Sequence, residues 1–440
     1  MTPTIEPAQL SPAQRYLAHL RKIERRPLAD LVFHQARLLE SLVRHAVSYV
    51  PFYADSLSVV FDKDNILDLS RWHDVPLLCH DVAEANREAL KATQLPASAG
   101  NAVADRTTGS GGSPFHFIRS TSALAADSGN SLRIFIDHGL DLDARFADIR
   151  LDISGTAQFP EGQTRKDWTH GEGSGDYVLL DISTEIEKQV EWLLRRNPRI
   201  LFTWAGNARR IALALENMGR DLPLTSLATS AELCTPSVRA DCQRVFGCDP
   251  IDILGARELG ILAFPCHAAP VYHLAAESAF LEVITDEGRP AKPGESGQLV
   301  GTGLYNFHMP FIRYTTGDYV TLAQGSCACG RSLPAITSIH GRGRNRFARR
   351  DGARVFPDIP EALLDETAGP MAWQLVQTGP GELELRVENG IMANATAQTP
   401  MLTDALTRNF GENIRLTPVS CQRRPEAIRR KRERFISQQN

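Results

Sequence analysis

Phe311-Ile-Arg-Tyr-Thr-Thr-Gly-Asp318 is the stretch on which the reading of this chain turns. Residues 309–313 (Met-Pro-Phe-Ile-Arg) are apolar and β-prone, and Thr315-Thr316-Gly317 then reads as a turn that leaves Asp318 just beyond a strand. A carboxylate at such a turn accepts hydrogen bonds readily, and a vicinal diol supplies two donors. Arg313 and Asp318 are expected to grip a sugar from one side and a charged group from the other. On its own, however, a strand ending in Gly-Asp is an ordinary turn, so the weight of this run depends on its neighbours.

Upstream, apolar positions at helical spacing run over 11–48 until Tyr49-Val-Pro-Phe-Tyr53 breaks them. Through the middle, β-rich runs at 177–182, 200–204, 224–228 and 251–254 alternate with helical stretches at 185–196, 208–218 and 235–246. That alternation predicts parallel βαβ units. From about residue 279 the texture changes to strands at 280–285, 297–304, 310–314 and 319–322, split by Gly, Pro and Asp, as in a more antiparallel subdomain. Gly341-Arg-Gly-Arg-Asn-Arg346 is basic and poor in apolar residues, and reads as a hinge. Beyond it, helices at 358–366 and 400–410 and strands at 373–378, 382–387 and 414–419 predict a small α+β unit. The fold class is therefore α/β, with a large multi-subdomain N-terminal domain over 1–341 and a small mobile C-terminal domain over 342–440. The β-rich subdomain occupies about 265–340.

Composition narrows the class. At 440 residues, with 42% hydrophobic and 23% charged residues, the chain can bury a sizeable core. A net charge of −4 gives no global field toward nucleic acid or an anionic membrane. The one strong local bias is the basic stretch at 423–434, read as a solvated tail or as a polyanion-binding element. No apolar run approaches the roughly 20 residues that span a bilayer, and the first residues lack a signal-peptide pattern. A cytoplasmic protein is expected. Eight cysteines are too sparse for a disulfide scaffold.

Three constellations carry chemistry. In Thr107-Thr-Gly-Ser-Gly-Gly-Ser-Pro114, small residues let backbone N–H groups approach phosphates, although the Gly-Lys-Ser/Thr ending of a P-loop is missing. In Leu254-Gly-Ala-Arg-Glu-Leu-Gly260, Glu258 follows a strand, where a carboxylate can hold Mg2+ against phosphate oxygens. Finally, Cys266 and His273, with Cys327-x-Cys329 downstream, offer three thiolates and one imidazole, a donor set suited to a tetrahedral structural Zn2+. His267 is the rival imidazole, disfavoured because adjacent residues strain a tetrahedral site. Cys79, Cys234, Cys242, Cys248 and Cys421 show no comparable pairing and are read as core or surface thiols.

In this order, a Gly/Ser/Thr loop, a Gly-x-x-Glu step, a Tyr-x-x-Gly-Asp and a Gly-Arg hinge resemble the adenylate-forming (acyl-activating) superfamily. His45-Ala-Val-Ser-Tyr-Val-Pro-Phe-Tyr53, the Met309–Asp318 run and Cys327-Ala-Cys-Gly-Arg-Ser-Leu-Pro334 resemble its phenylacetate–CoA ligase branch, over roughly residues 35–345. The resemblance implies ATP held by Thr107, Thr108, Gly109, Ser110, Gly111 and Gly112, and an adenine pocket lined by Ser230, Ala231 and Glu232. It implies Glu258 as the Mg2+-associated glutamate, Asp318 as the ribose ligand and Arg342 as the nucleotide contact at the hinge. It also adds support for the zinc site. The implied reaction joins a carboxylate to ATP as an acyl-adenylate, which coenzyme A then captures. Homodimers are frequent in the branch.

The chain departs from the family pattern at several points. Ser113 stands where the loop often has Lys, Leu254 where a tyrosine precedes the Gly-x-x-Glu step, and Arg344-Asn345 where the hinge is usually acidic. The candidate for the C-terminal catalytic lysine is Lys431, in Ile428-Arg-Arg-Lys-Arg-Glu-Arg-Phe-Ile436, with no glycine before it. Trp204, His170 and Phe159 fall where the branch forms its acyl pocket, and aromatic walls would suit a flat aryl acid. The expected function is activation of a small, aromatic carboxylate with transfer to coenzyme A. The alternatives are a ligase with an amine or other acceptor, or activation of another oxyanion, and a non-catalytic nucleotide-binding homologue.

Overall fold

The computed structural model describes residues 10–107, 114–388, 392–421 and 433–438. They fall into two compact units. One comprises the described parts of Met1–Phe146, Thr164–Val178 and Ile251–Ile339; the other comprises Ala147–Gln163, Leu179–Pro250 and His340–Asn440.

In the first unit the helical spacing over 11–48 resolves into two helices, Pro12–Ile23 and Leu28–Tyr49, broken at Pro27. Ser11 starts the first with a reciprocal capping box to Gln14, satisfying donors that a helix start leaves free. Leu39, Leu42, Val43 and Ala46 of the second helix join one apolar core with Leu262, Leu299, Phe311, Tyr314 and Ile336. The strands of that core are antiparallel. Gly260–Pro265 pairs with Tyr272–Leu274, and Ser296–Gly303 lies between Ala279–Ile284 and Tyr314–Leu322.

The deciding stretch differs from its sequence reading in one respect. Residues 310–313 lie outside any strand, and Tyr314–Leu322 is a single strand running through the expected turn. Gln298 pairs with Tyr319 but Val300 with Thr315, so Thr316-Gly317-Asp318 forms a bulge. Gly317 takes φ +80° there, a conformation that costs glycine little. Residues 311–313 do not join the ladder because side chains satisfy their backbone: the Ile312 N–H donates to Tyr53 Oη, and the Arg313 N–H donates to Thr302 Oγ1.

In the second unit Ile200–Trp204 and Ser226–Ser230 pair in parallel, as the alternating pattern predicts. The helices Ile186–Arg196, Ala205–Asn217 and Pro236–Phe246 accompany them. Towards the C-terminus Trp373–Gly379 and Glu382–Glu388 form an antiparallel hairpin. Arg415–Cys421 and Phe435–Ser437 add to it in parallel on either side. The strand Phe435–Ser437 escaped the sequence reading because it is short and follows a charge run. The helix expected over 400–410 begins earlier, spanning Met392–Phe410 with Pro400 inside it. Its buried Ala395, Leu402, Leu406 and Phe410 show why: one apolar stripe continues across the proline, and its burial outweighs the lost backbone bond. A buried polar knot ties this part of the unit together. Arg209 donates to Asp241 at 2.6 Å and to Asp365 at 2.5 Å, and Asp365 also accepts from Trp373 Nε1 at 2.8 Å.

Candidate active site and metal centre

Glu258 sits at the tip of a tight hairpin between Ile251–Ala256 and Gly260–Pro265. The Leu259 N–H donates to the Ala256 carbonyl at 3.1 Å, and Gly260 closes the turn at φ +88°. A side chain on Gly260 would collide with Asp127, whose Oδ1 accepts from the Ile261 N–H. Such a tip normally carries an exposed residue. Here Glu258 is 9% exposed, and its Oε1 accepts a 2.7 Å hydrogen bond from Tyr314 Oη. Asp318 lies further along the strand that Tyr314 begins. It is buried, in the bulge, and its N–H donates to Thr316 Oγ1. The Tyr314 contact escaped the sequence reading, although the Tyr-x-x-Gly-Asp signature contains that tyrosine.

Arg313 does not take its expected part, with Asp318, in gripping a sugar and a charged group. It is 4% exposed, and its guanidinium is bound to Glu282 through Nε (3.2 Å) and Nη2 (3.1 Å) and to the carbonyls of His73 and Val75 through Nη1. Its φ of +48° lies in the left-handed region that favours glycine. Every strong donor is committed to the fold.

Thr107 forms the base of the phosphate-loop candidate. Its N–H donates to the Phe115 carbonyl and its Oγ1 accepts the Phe115 N–H, at 2.9 and 3.1 Å. Thr108, Gly109, Ser110, Gly111, Gly112 and Ser113 lie outside the described residues, as does Lys431.

In the second unit Ser230 ends its strand and Ala231 takes φ +70°, a conformation that costs a non-glycine residue and tends to mark functional positions. Glu232 then reaches the start of the helix Ala205–Asn217, where its Oε2 accepts the Gly206 N–H at 2.9 Å. A carboxylate there complements the positive end of the helix. Arg342 is the last residue of the strand Ala335–Arg342 and is half-buried. Of the acyl-pocket candidates, Trp204 is buried, Phe159 lies under the Arg195 guanidinium at 5.8 Å, and His170 is exposed.

The four metal-ligand candidates converge. One ligand atom from each of Cys266, His273, Cys327 and Cys329 lies within 4.8 Å of the others. Pairing of Tyr272 with Pro265 brings Cys266 and His273 to one end of a hairpin, and His267 is not among the four. The sulfurs of Cys266 and Cys327 are 3.6 Å apart, and Cys329 Sγ is 3.2 Å from His273 Nε2. Burial, reinforced by the nearby Arg331 charge, pushes His273 down to about 4, leaving the neutral imidazole that a metal binds. Burial pushes the Cys266 thiol up to about 11, the response of a thiol whose charge needs a cation beside it.

No protein-family model matches the chain. It is 28% identical over 185 residues to a phenylacetate–coenzyme A ligase of Thermus thermophilus, covering 40% of this chain and 41% of that protein. It is 23% identical over 416 residues to a fumarate–(S)-2,3-diaminopropanoate ligase of Enterobacter agglomerans, covering 87% and 95%. A crystal structure of 2-hydroxyisobutyryl-CoA ligase with 2-HIB-AMP matches with a TM-score of 0.76 at 18% identity, over 99% of this chain and 94% of that one. Over part of its length the chain is similar to phenylacetate–coenzyme A ligases. Its match to the phenylacetate–coenzyme A ligases spans about two-fifths of their length. The chain shares the fold of that 2-hydroxyisobutyryl-CoA ligase over nearly its whole length. Among the described residues no helix is long and apolar enough to cross a membrane.

Proposed function

We propose that this protein uses ATP and Mg2+ to activate a small, aromatic carboxylic acid as an acyl-adenylate and passes the acyl group to coenzyme A. The observation that carries the reading is a buried carboxylate, Glu258, fixed by Tyr314 on the strand that also bears Asp318. One or two protein carboxylates with substrate phosphates are a usual Mg2+ environment, and Mg2+ bound there would neutralise charge on the phosphates. In the first step a substrate carboxylate oxygen bonds to the α-phosphorus, the bond to the bridging oxygen breaks and pyrophosphate leaves. Asp318 is assigned to the ribose, and Thr107 to Gly112, Ser230 to Glu232 and Arg342 are assigned to contacts with the rest of the nucleotide. Lys431 pairs with the carboxylate and α-phosphate. The coenzyme A thiolate then attacks the acyl carbon and AMP departs. The domain from 342 onward moves between the two steps, and the enzyme is cytosolic and homodimeric.

Cys266, His273, Cys327 and Cys329 would hold a structural Zn2+, whose binding can supply on the order of 10 kcal/mol to folding. Elemental analysis of protein purified without chelator should find close to one zinc per chain.

A second reading has a specific observation behind it. The relative aligned over 95% of its own length is named as an acid–amine ligase, which favours an amine as acceptor. One experiment separates the readings. Protein, ATP and Mg2+ are incubated with a panel of aryl acids and short dicarboxylates, and pyrophosphate release is followed; coenzyme A or a small diamine is then added to the responsive mixture. Acid-dependent pyrophosphate release followed by coenzyme A-dependent AMP release supports the main reading. AMP release on amine addition alone replaces the acceptor. ATP binding with no acid-dependent turnover leaves a non-catalytic homologue.

A further inference from the structure

We infer that Tyr314 is a positioning residue that sets the metal affinity of Glu258, an inference that rests on the proposed use of a divalent cation at that carboxylate. Glu258 lies on a hairpin tip, where side chains are ordinarily exposed and free to change rotamer, yet it is buried. The Tyr314 phenol supplies the constraint. Its O–H donates to Glu258 Oε1 at 2.7 Å, a short bond of neutral donor to anionic acceptor, which is stronger than a neutral pair.

The donor is itself immobilised. Tyr314 is 3% exposed and lies edge-on to Phe311, with ring centroids 5.2 Å apart. Its backbone pairs with Gly301 on one side and bridges to Leu78 on the other. A ring fixed this firmly can hold a carboxylate on a loop in one orientation. With Oε1 engaged, Oε2 is presented for a single metal–oxygen bond, and the cost of ordering the side chain is met before the ion arrives. The same strand carries Asp318 within its bulge. One rigid element thus sets both the metal carboxylate and the candidate ribose carboxylate, and the spacing between them is fixed by backbone.

The test measures metal binding separately from turnover. Mn2+ is titrated into the full-length protein at fixed ATP, and bound ion is read by electron paramagnetic resonance. Tyr314→Phe keeps the ring and removes the donor. It should raise the Mn2+ concentration for half-saturation on the order of tenfold, and a weaker donor, 4-aminophenylalanine at 314, should fall between the two. In a Glu258→Gln background Tyr314→Phe should add no further loss. Wild-type titration by Tyr314→Phe, or full additivity with Glu258→Gln, overturns the inference. If Tyr314→Phe fails to fold, the 4-aminophenylalanine protein decides: an intermediate affinity supports the inference and wild-type affinity overturns it. If the wild-type protein binds Mn2+ with ATP but no acid drives pyrophosphate release, the functional reading fails while the titration still judges Tyr314. Absence of ATP-dependent Mn2+ binding by the wild-type protein overturns the inference outright.

Discussion

Arg331, two positions past Cys329, donates from Nε to Glu24 Oε2 at 2.9 Å, where Glu24 ends the helix Pro12–Ile23. Its Nη2 also reaches Asp137 at 2.5 Å, at the end of the helix Thr121–Asp137. The Ser332 N–H donates to the Glu24 carbonyl and Arg25 donates to the Cys329 carbonyl. The cysteine knuckle and the ends of two helices are therefore one polar assembly. Arg331 and Glu24 are each about as buried as core residues, at 3% and 2% exposed.

Removing Arg331 leaves acidic groups buried with less compensation. Arg331→Ala should cost about 3 kcal/mol of stability, seen as a fall in thermal midpoint. With the proposed zinc bound to Cys266, His273, Cys327 and Cys329, its removal by a chelator should speed amide exchange over 12–26 as well as near Cys327. Chelation that leaves exchange in 12–26 unchanged would separate the knuckle from the helix.

Arg313 and Asp318 are predicted to behave as opposites despite their closeness in sequence. Arg313→Ala breaks a buried bidentate pair with Glu282, so it should destabilise by about 3–5 kcal/mol and leave the ATP KM of the folded fraction unchanged. Asp318→Asn should leave the thermal midpoint nearly unchanged and raise the ATP KM about tenfold. Steady-state kinetics beside thermal melts checks both; a KM effect confined to Arg313→Ala would exchange their roles.

How much was legible in the sequence follows from such pairs. Parallel βαβ units were readable because apolar runs and helical spacing are local signals, and the Gly-x-x-Glu step because glycine marks the hairpin. The bulge at Gly317 was not, since only pairing with Gln298 and Val300 distinguishes a bulge from a turn. Arg313 was misread for a similar reason: Glu282 and the carbonyls at 73 and 75 are distant in sequence, and no local pattern shows that they saturate its guanidinium. The convergence of Cys266, His273, Cys327 and Cys329 was legible because cysteine is scarce and its spacing informative. Tyr314 and Glu258 share a hydrogen bond that only the fold creates.

Acid should weaken the first unit through His45. Its Nε2–H donates to the Phe307 carbonyl at 2.9 Å, and it is 7% exposed. Burial, with a smaller contribution from His308, holds its pKa below the usual histidine value. The unfolded chain therefore takes up a proton that the folded chain resists, and stability is lost as pH falls from the unfolded value near 6.5 toward the lower folded one. Thermal midpoints from pH 8 to 5 should fall, and His45→Gln, which can keep the donor, should flatten that slope. An unchanged slope in His45→Gln would assign the acid sensitivity elsewhere.

Lys431 and Glu258 make the sharpest test of the chemistry, because they are assigned different parts of the proposed reaction and lie far apart in sequence. Adenylation builds negative charge on the α-phosphate, so a cation aimed at it acts on the transition state rather than on ATP binding. Lys431→Ala should reduce acid-dependent pyrophosphate release on the order of a hundredfold while barely altering the ATP KM. Transfer from a synthetic acyl-adenylate to the acceptor should persist in the same variant, since that step needs no bond at the α-phosphate. Glu258→Gln should instead raise the requirement for Mg2+ along with the loss of rate. A Lys431→Ala protein with wild-type adenylation would show that one of the neighbouring arginines, or a cation from elsewhere in the chain, does this work, and the missing glycine before Lys431 would then mark a lysine that never enters the site.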